Sequence, residues 1–337
     1  MAVPYKRSEA KERARAEWRG LTNVTLPSFN EDFSGLNEEG IAHDVRRAAE
    51  QGYWGTLVAS ESGTTLDEYC RFLEVAADAA PGDFKIVAHL SFSTVEESLR
   101  AAEVAEAVAA EAALLSYPPA FRPTSAADIV EHTSYVAERT DLALILFGVP
   151  TWGFKPLHPA GFPMDALEAM AKLETAVALK YEGGGSAVFS ALDEAYSRCA
   201  DDVIVMNPHE QHLPAIVRHY GTQWFGTSCY EAFGERPAQL LDAALAGDFA
   251  KAMEIFWSCQ PAREAKGAFH ATFPGANLIH RVGWKYLAWL HGYNGGLLRM
   301  PQMRLNPGQM KGLRAGIEAS GFDVVDADDS GFYRGRN

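Results

Sequence analysis

The segment ETAVALKYEGGG, Glu174 to Gly185, places one lysine, Lys180, where an apolar strand should end and a glycine loop begin. An ammonium there is costly unless it is paired or loses its proton, and desolvation lowers a lysine pKa. A neutral amine can attack a ketone and form an iminium, which withdraws electrons from the neighbouring carbon. The competing reading is a structural lysine in an ion pair with Glu182 or another carboxylate. A second group of chemistry-bearing side chains is MNPHEQH, where His209 and Glu210 follow another apolar run. Its histidines stand three apart on an expected loop, not four apart on a helix. No zinc site is read there, and no metal is expected. His89, at the end of a third run, reads as a satisfied histidine at the core edge. Cys229 has no evident cationic partner and reads as packing rather than as a nucleophile.

The elements that must position these groups are short apolar runs alternating with amphipathic stretches. The candidate strands are TNVTLPSF, GTLVAS, KIVAHL, ALLSY, LALILF, TAVALK, VIVMN and QWFGTS. Helix signals fill the gaps. Asn37 precedes EEGIAHDVRRAAEQ, and Gly52 is placed to end that helix. Thr65 with Glu68, and Ser93 with Glu96, have capping-box spacing. Alternation of this kind implies parallel strands with right-handed crossovers, closing as an α/β fold of the (β/α)8 TIM barrel type. An open dinucleotide-binding sheet is the rival, but its G-x-G-x-x-G signature is absent and EGGGSA does not supply it. From about residue 236 the pattern is helical only: RPAQLLDAALAGDFAKAMEIFWSCQPAREA, ANLIHRVGWKYLAWLHGY and NPGQMKGLRAGIEASG, the last capped by Asn306 with Pro307 at its first position. The expected organisation is an N-terminal helical arm (1–20), the barrel (21–235) and a C-terminal helical subdomain with a polar, loose tail (236–337). The arm is read as solvated and free to lie on a neighbouring subunit.

Composition bounds the function. The chain has 337 residues, 47% apolar and 22% charged, as an ordinary globular enzyme does. A net charge of -14 argues against nucleic acid as a partner, because little here would neutralise phosphates. Four scattered cysteines without a C-x-x-C pair point to a reducing, cytoplasmic setting. No apolar run of about eighteen residues indicates a membrane span, and MAVPYKRSEAKERARAEWRG lacks the apolar centre of a signal peptide.

Several segments in register resemble the dihydrodipicolinate synthase and N-acetylneuraminate lyase superfamily of barrel aldolases, from about Val24 to Gly321. VTLPSFNEDFSGLNEEGIAHDVRRAAEQGYWG is similar to its opening strand and helix. ALLSYPPAFRPTSAADIVEHTSYVAERTDLALILFGVP is similar to its fourth and fifth units, and DAALAGDFAKAMEIF to the stretch after the barrel. ALKYEGGG matches the segment carrying the Schiff-base lysine, so the resemblance implies that Lys180 forms the imine and that no cofactor is needed. The family's G-T-T-G-E loop, which holds the carboxylate of a 2-oxo acid, corresponds to ASESGTTLDE, with a short deletion before Thr65. Ser62, Gly63 and Thr64 are the implied carboxylate binders. Glu61 is a charge the family lacks there, either a solvated loop acid or a general acid–base.

The departures are equally specific. The family's proton-relaying tyrosine at the end of strand five is replaced by Phe147, and the synthase's substrate-binding arginine by Trp152. SYPPAFRP offers Tyr117 in place of the synthase's auxiliary tyrosines. These changes argue against dihydrodipicolinate synthase proper and suit a co-substrate with a larger or more apolar part. MNPHEQH, LKYEGGG and TWGFK together resemble the hydratase-aldolase branch, which acts on benzylidenepyruvate-type substrates. His209 or Glu210 could move protons in place of the tyrosine, although His209 also fits a loop histidine holding a carbonyl. Ser228 could hydrogen-bond the substrate. The expected function is a class I lyase that joins Lys180 to a pyruvate-like 2-oxo acid and makes or breaks a C–C bond, as a homodimer or homotetramer. The alternatives are a dehydratase of a sugar-derived 2-oxo acid, or a barrel that kept a binding role only.

Overall fold

The apolar runs become strands because they are buried on both faces. In the computed structural model, which describes residues 3–272 and 280–336, the strands are β1 (Gly20–Thr25), β2 (Gly55–Val58), β3 (Lys85–Leu90), β4 (Ala112–Leu115), β5 (Leu144–Gly148), β6 (Ala176–Tyr181), β7 (Ile204–Met206) and β8 (Trp224–Gly226). Every residue of β2, β4, β6 and β8 is buried, as in a parallel sheet covered by helices. All eight join one sheet in the order β7-β6-β5-β4-β3-β2-β1-β8, and β8 also lies against β7. The architecture is the (β/α)8 TIM barrel with C-terminal helices.

Two compact units make up the chain: Met1–Arg19 with Lys85–Thr227, and Gly20–Phe84 with Ser228–Asn337. These units divide the chain after Arg19, Phe84 and Thr227, and within the second β1 packs against the helix Arg236–Leu245 and the turn Tyr230–Phe233.

In the first unit the N-terminal segment is no solvated arm. Its helix Ala10–Glu17 lies against β6 of the same chain. Trp18 is buried with its ring centroid 4.8 Å from that of Trp224. Its indole donates to Glu111 at 2.9 Å, and the Arg13 guanidinium pairs with the same carboxylate. Glu111 is 3% exposed at its side chain, so it depends on these donors. Glu111→Ala strands an indole N–H and half of Arg13's pairing, and should lower unfolding stability by about 2–4 kcal/mol. Urea unfolding that shows no loss would contradict this account of the arm.

In the second unit the helix signals hold with small shifts. Asn37 accepts from the Gly40 amide at the start of Glu38–Glu50, and Gly52 follows that helix with φ +81°. Thr65–Glu68 and Asn306–Gln309 are reciprocal capping boxes. β1 stops at Thr25, short of the expected Phe29, because Pro27 has no N–H for the ladder. The long helical stretch after 236 is three helices, Arg236–Leu245, Phe249–Ser258 and Gln260–His270, broken at Gly247 (φ +81°) and before Pro261. Of ANLIHRVGWKYLAWLHGY, residues 276–279 lie outside the described residues, and Arg281–Leu290 are helical. The tail is anchored rather than loose. Phe332 is fully buried, and Arg336 donates to the carbonyls of Tyr293 and Trp289, each at 2.9 Å. In the first unit, the capping box expected at Ser93–Glu96 forms one residue later, at Thr94–Glu97.

Candidate active site

Lys180 is the fifth residue of β6 and is 6% exposed. Its Nζ donates to the Thr227 carbonyl at 2.8 Å and to Thr227 Oγ1 at 3.3 Å, and lies 3.3 Å from Glu182 Oε1. It also sits 4.2 Å from the centroid of the Phe147 ring, whose backbone is its register partner on β5. Three acceptors match the three N–H bonds of an ammonium, and the ring face adds a cation–π contact. The ion pair with Glu182, the alternative read from sequence, is therefore formed. Strand alternation explains it, since residues two apart point to one face.

The glycine run explains how Glu182 is held. A Cβ on Gly183 would lie 2.3 Å from the Tyr181 hydroxyl, and Gly184 adopts φ +88°. Only glycine lets the chain fold back this closely over Tyr181. The Glu182 amide donates to the Gly148 carbonyl at 2.8 Å, tying the carboxylate's backbone to the end of β5.

The loop after β7 supplies the next group. Asn207 is fully buried; its Nδ2 donates to the Tyr181 carbonyl at 2.9 Å, and its Oδ1 accepts from the His209 amide and from His212 Nδ1, each at 3.0 Å. This clamp turns His209 Nε2 to within 3.5 Å of Glu182 Oε2. Lys180, Glu182 and His209 thus form a continuous chain of ionisable groups. His212 is a different case: burial, helped by His209, lowers its pKa to about 4, so it stays neutral near pH 7. Glu210 is buried at the start of the turn Glu210–His212.

An aromatic wall continues from Phe147. The Trp152 indole donates to the Phe147 carbonyl at 3.0 Å, and the two rings meet edge-on at 5.5 Å. Tyr117 lies 5.9 Å from Trp152, stacked on Phe121. Its hydroxyl is engaged with Thr133 Oγ1 at 3.0 Å and burial raises its pKa, so Tyr117 serves as packing for the wall. His89 is buried with Nε2 3.1 Å from Ser116 Oγ.

The second unit holds the loop read as a carboxylate binder. Ser62 is 1% exposed and its Oγ has no hydrogen-bond partner, an orphan that a buried hydroxyl rarely tolerates. Gly63 has φ +86°, and a Cβ there would come within 2.7 Å of Arg299 Cβ. Thr64 Oγ1 is turned back to the Ser60 carbonyl at 3.4 Å. Glu61 is exposed at its side chain yet paired: its Oε2 accepts from Arg281 Nη2 at 2.6 Å. Arg299 pairs with Glu68 at 2.6 Å and donates to the Phe33 carbonyl. Ser228 is half-buried, its carbonyl accepting from the Tyr230 amide. Arg281 and Arg299 went unread in the sequence because more than 200 residues separate them from the loop they brace.

The sequence profile of the dihydrodipicolinate synthetase family matches residues 18–287, most of the chain. The chain belongs to that family. Its fold and this match make it a member of a lyase family of the aldolase type. Among curated relatives, the 4-hydroxy-tetrahydrodipicolinate synthase of Methanopyrus kandleri is 25% identical over 250 residues, covering 73% of this chain and 80% of the relative. The synthase of Mycolicibacterium gilvum is 26% identical over 309 residues, 89% of this chain and 93% of the relative. Among solved structures, N-acetylneuraminate lyase from Fusobacterium nucleatum superposes with TM-score 0.74 at 16% identity, covering 89% of this chain and 98% of that one. A structure described as PhdJ bound to substrate intermediate gives 0.76 at 16% identity, covering 94% and 97%. At such identities the superpositions speak for the family's fold. Among the described residues no cluster of side chains could hold a metal ion, and no helix is long and apolar enough to cross a membrane.

Proposed function

We propose that this member of the dihydrodipicolinate synthetase family is a class I lyase that joins Lys180 to a pyruvate-like 2-oxo acid and makes or breaks a C–C bond at the adjacent carbon. The observation that carries the reading is the Lys180 amine, buried at the end of β6 within reach of a proton acceptor, Glu182. The iminium is the electron sink, so the reaction calls for no cofactor. Ser62, Gly63 and Thr64 keep their proposed role in holding the carboxylate, for which the partnerless Ser62 hydroxyl is support. Ser228 keeps a proposed role as a further hydrogen-bonding group.

Its curated relatives bear the synthase's name, but the aromatic wall favours another electrophile. Where the synthase carries a cation for its second substrate, this chain presents Trp152, braced on Phe147. An apolar or aromatic aldehyde, as in the hydratase-aldolase branch, fits such a wall better than an acidic one. The four cysteines are free, in keeping with a cytoplasmic setting, and a homodimer or homotetramer is part of the same reading. Phe147 in the tyrosine's place gives the binding-only alternative its one support.

Borohydride added with pyruvate should leave one reduced adduct, located on Lys180 by peptide mass analysis. An unmodified lysine would remove the imine mechanism. Release of pyruvate from an arylidene substrate, against formation of a dehydrated product, separates the lyase from the dehydratase.

A further inference from the structure

We propose that Glu182 is the acid–base catalyst of imine formation, taking the place of the relaying tyrosine that Phe147 cannot be, with His209 as its link to solvent. This rests on the Schiff-base reading above and assigns a residue that reading leaves open. Three observations support it. Glu182 bridges the two groups, with Oε1 3.3 Å from Lys180 Nζ and Oε2 3.5 Å from His209 Nε2. Its side chain is 18% exposed while that of His209 is 44% exposed, so the chain of groups runs from a buried amine outward to water. Its backbone is fixed by the Gly148 carbonyl and by a glycine turn that admits no side chain. A carboxylate held this way is placed for repeated proton transfer over one short path.

The step balances without any added reagent. The carboxylate of Glu182 accepts a proton from the Lys180 ammonium, and the freed nitrogen pair attacks C2 of the 2-oxo acid. The carbonyl π pair moves to oxygen, which takes that proton from the Glu182 carboxylic acid. A second N–H proton follows the same route, the C–O bond breaks and water leaves, with the nitrogen pair forming the C=N bond. Ammonium and ketone have become iminium and water, and Glu182 is again a carboxylate. Starting from the ammonium the step leaves no net proton on Glu182; when the amine enters uncharged, the one proton the oxygen still needs comes from solvent through His209, 3.5 Å from Glu182 Oε2.

A purely structural ion pair makes the opposite prediction, since removing the carboxylate would free the amine. The test is the rate at which pyruvate with borohydride modifies Lys180, followed by intact-protein mass. Glu182→Gln should slow it by about 10²–10³-fold. Glu182→Asp should slow it less, and formate should restore part of the rate to Glu182→Ala. His209→Ala, a change at a half-exposed position, should slow it by about tenfold. Modification of Glu182→Gln at or above the wild-type rate overturns the proposal while leaving Lys180 chemistry intact. If Glu182→Gln fails to fold by circular dichroism, wild-type rates in both Glu182→Asp and His209→Ala overturn it. A wild-type protein that pyruvate never modifies instead defeats the Schiff-base reading on which this one stands.

Discussion

Lys180→Ala should abolish exchange of the pyruvate methyl protons with deuterium in solvent, lowering its rate by about 10⁴-fold or more. This partial reaction requires only the iminium, which acidifies the carbon next to it, so it needs no knowledge of the electrophile. Alanine removes the nucleophile outright. Lys180→Arg keeps a cation beside Glu182 and over the Phe147 ring, but its guanidinium does not lose a proton and cannot attack. Both variants should fail alike, which separates loss of the amine from loss of the ion pair. Exchange is read by NMR, with circular dichroism reporting that each variant is folded. Wild-type exchange in Lys180→Ala would mean that the covalent step does not occur at this residue.

The second large effect is on stability, at a lysine the reaction does not use. Lys285, 3% exposed, donates to the Pro27 carbonyl and to Ser28 Oγ, with Asp44 as the opposite charge. Asp44 is 4% exposed and accepts from the Asn294 amide at 2.5 Å. Burial lowers Lys285 to about 8 and raises Asp44 to about 6. Lys285→Met takes from the carboxylate the largest of its counter-charges, ahead of His43 and Arg336, and leaves the Pro27 carbonyl without its donor, at a cost of about 3–5 kcal/mol.

The pH dependence has a definite sign. Asp44's folded pKa lies above its ordinary value, so its contribution to stability is complete below about 3.8 and is lost as pH rises through about 6. Without Lys285 its pKa climbs further, so the variant's deficit should be larger at pH 8 than at pH 5, where the acid is protonated and needs no counter-charge. Lys285's own folded pKa is lowered, so its contribution is present above about 10.5 and lost as pH falls through about 8. The variant's stability should therefore vary less than the wild type's across that upper window. Unfolding of both proteins at pH 5, 8 and 10 checks the three signs. An equal deficit at pH 5 and pH 8 would rule out the Asp44 account.

Periodicity and end signals carried most of the fold. The run KIVAHL is β3 without revision, and Asn37, Thr65 and Asn306 cap the helices they were expected to cap, because capping is a contact three residues long. Thr94 displaced Ser93 as a cap because two adjacent hydroxyls compete and sequence does not choose between them. Charged composition suggests a solvated arm and a loose tail because it conceals the few residues that hold them, Trp18 and Arg13 at one end, Phe332 and Arg336 at the other.

For the site, a buried strand ending in Lys180, the missing tyrosine at Phe147 and the aromatic Trp152 were all visible as residue types at given places along a strand or loop. Their partners were not. Alternation allows Glu182 to share a face with Lys180, but whether it bonds the amine depends on the turn that Gly183 and Gly184 permit. That His209 lies beside Glu182 depends on the loop backbone that Asn207 holds through the His209 amide. Glu61 could be a free acid until Arg281, 220 residues away, closed on it. Local pattern specifies an element and its faces because the backbone period is short-range. Which charges meet across elements depends on packing, where a shift of an ångström decides between an ion pair and none.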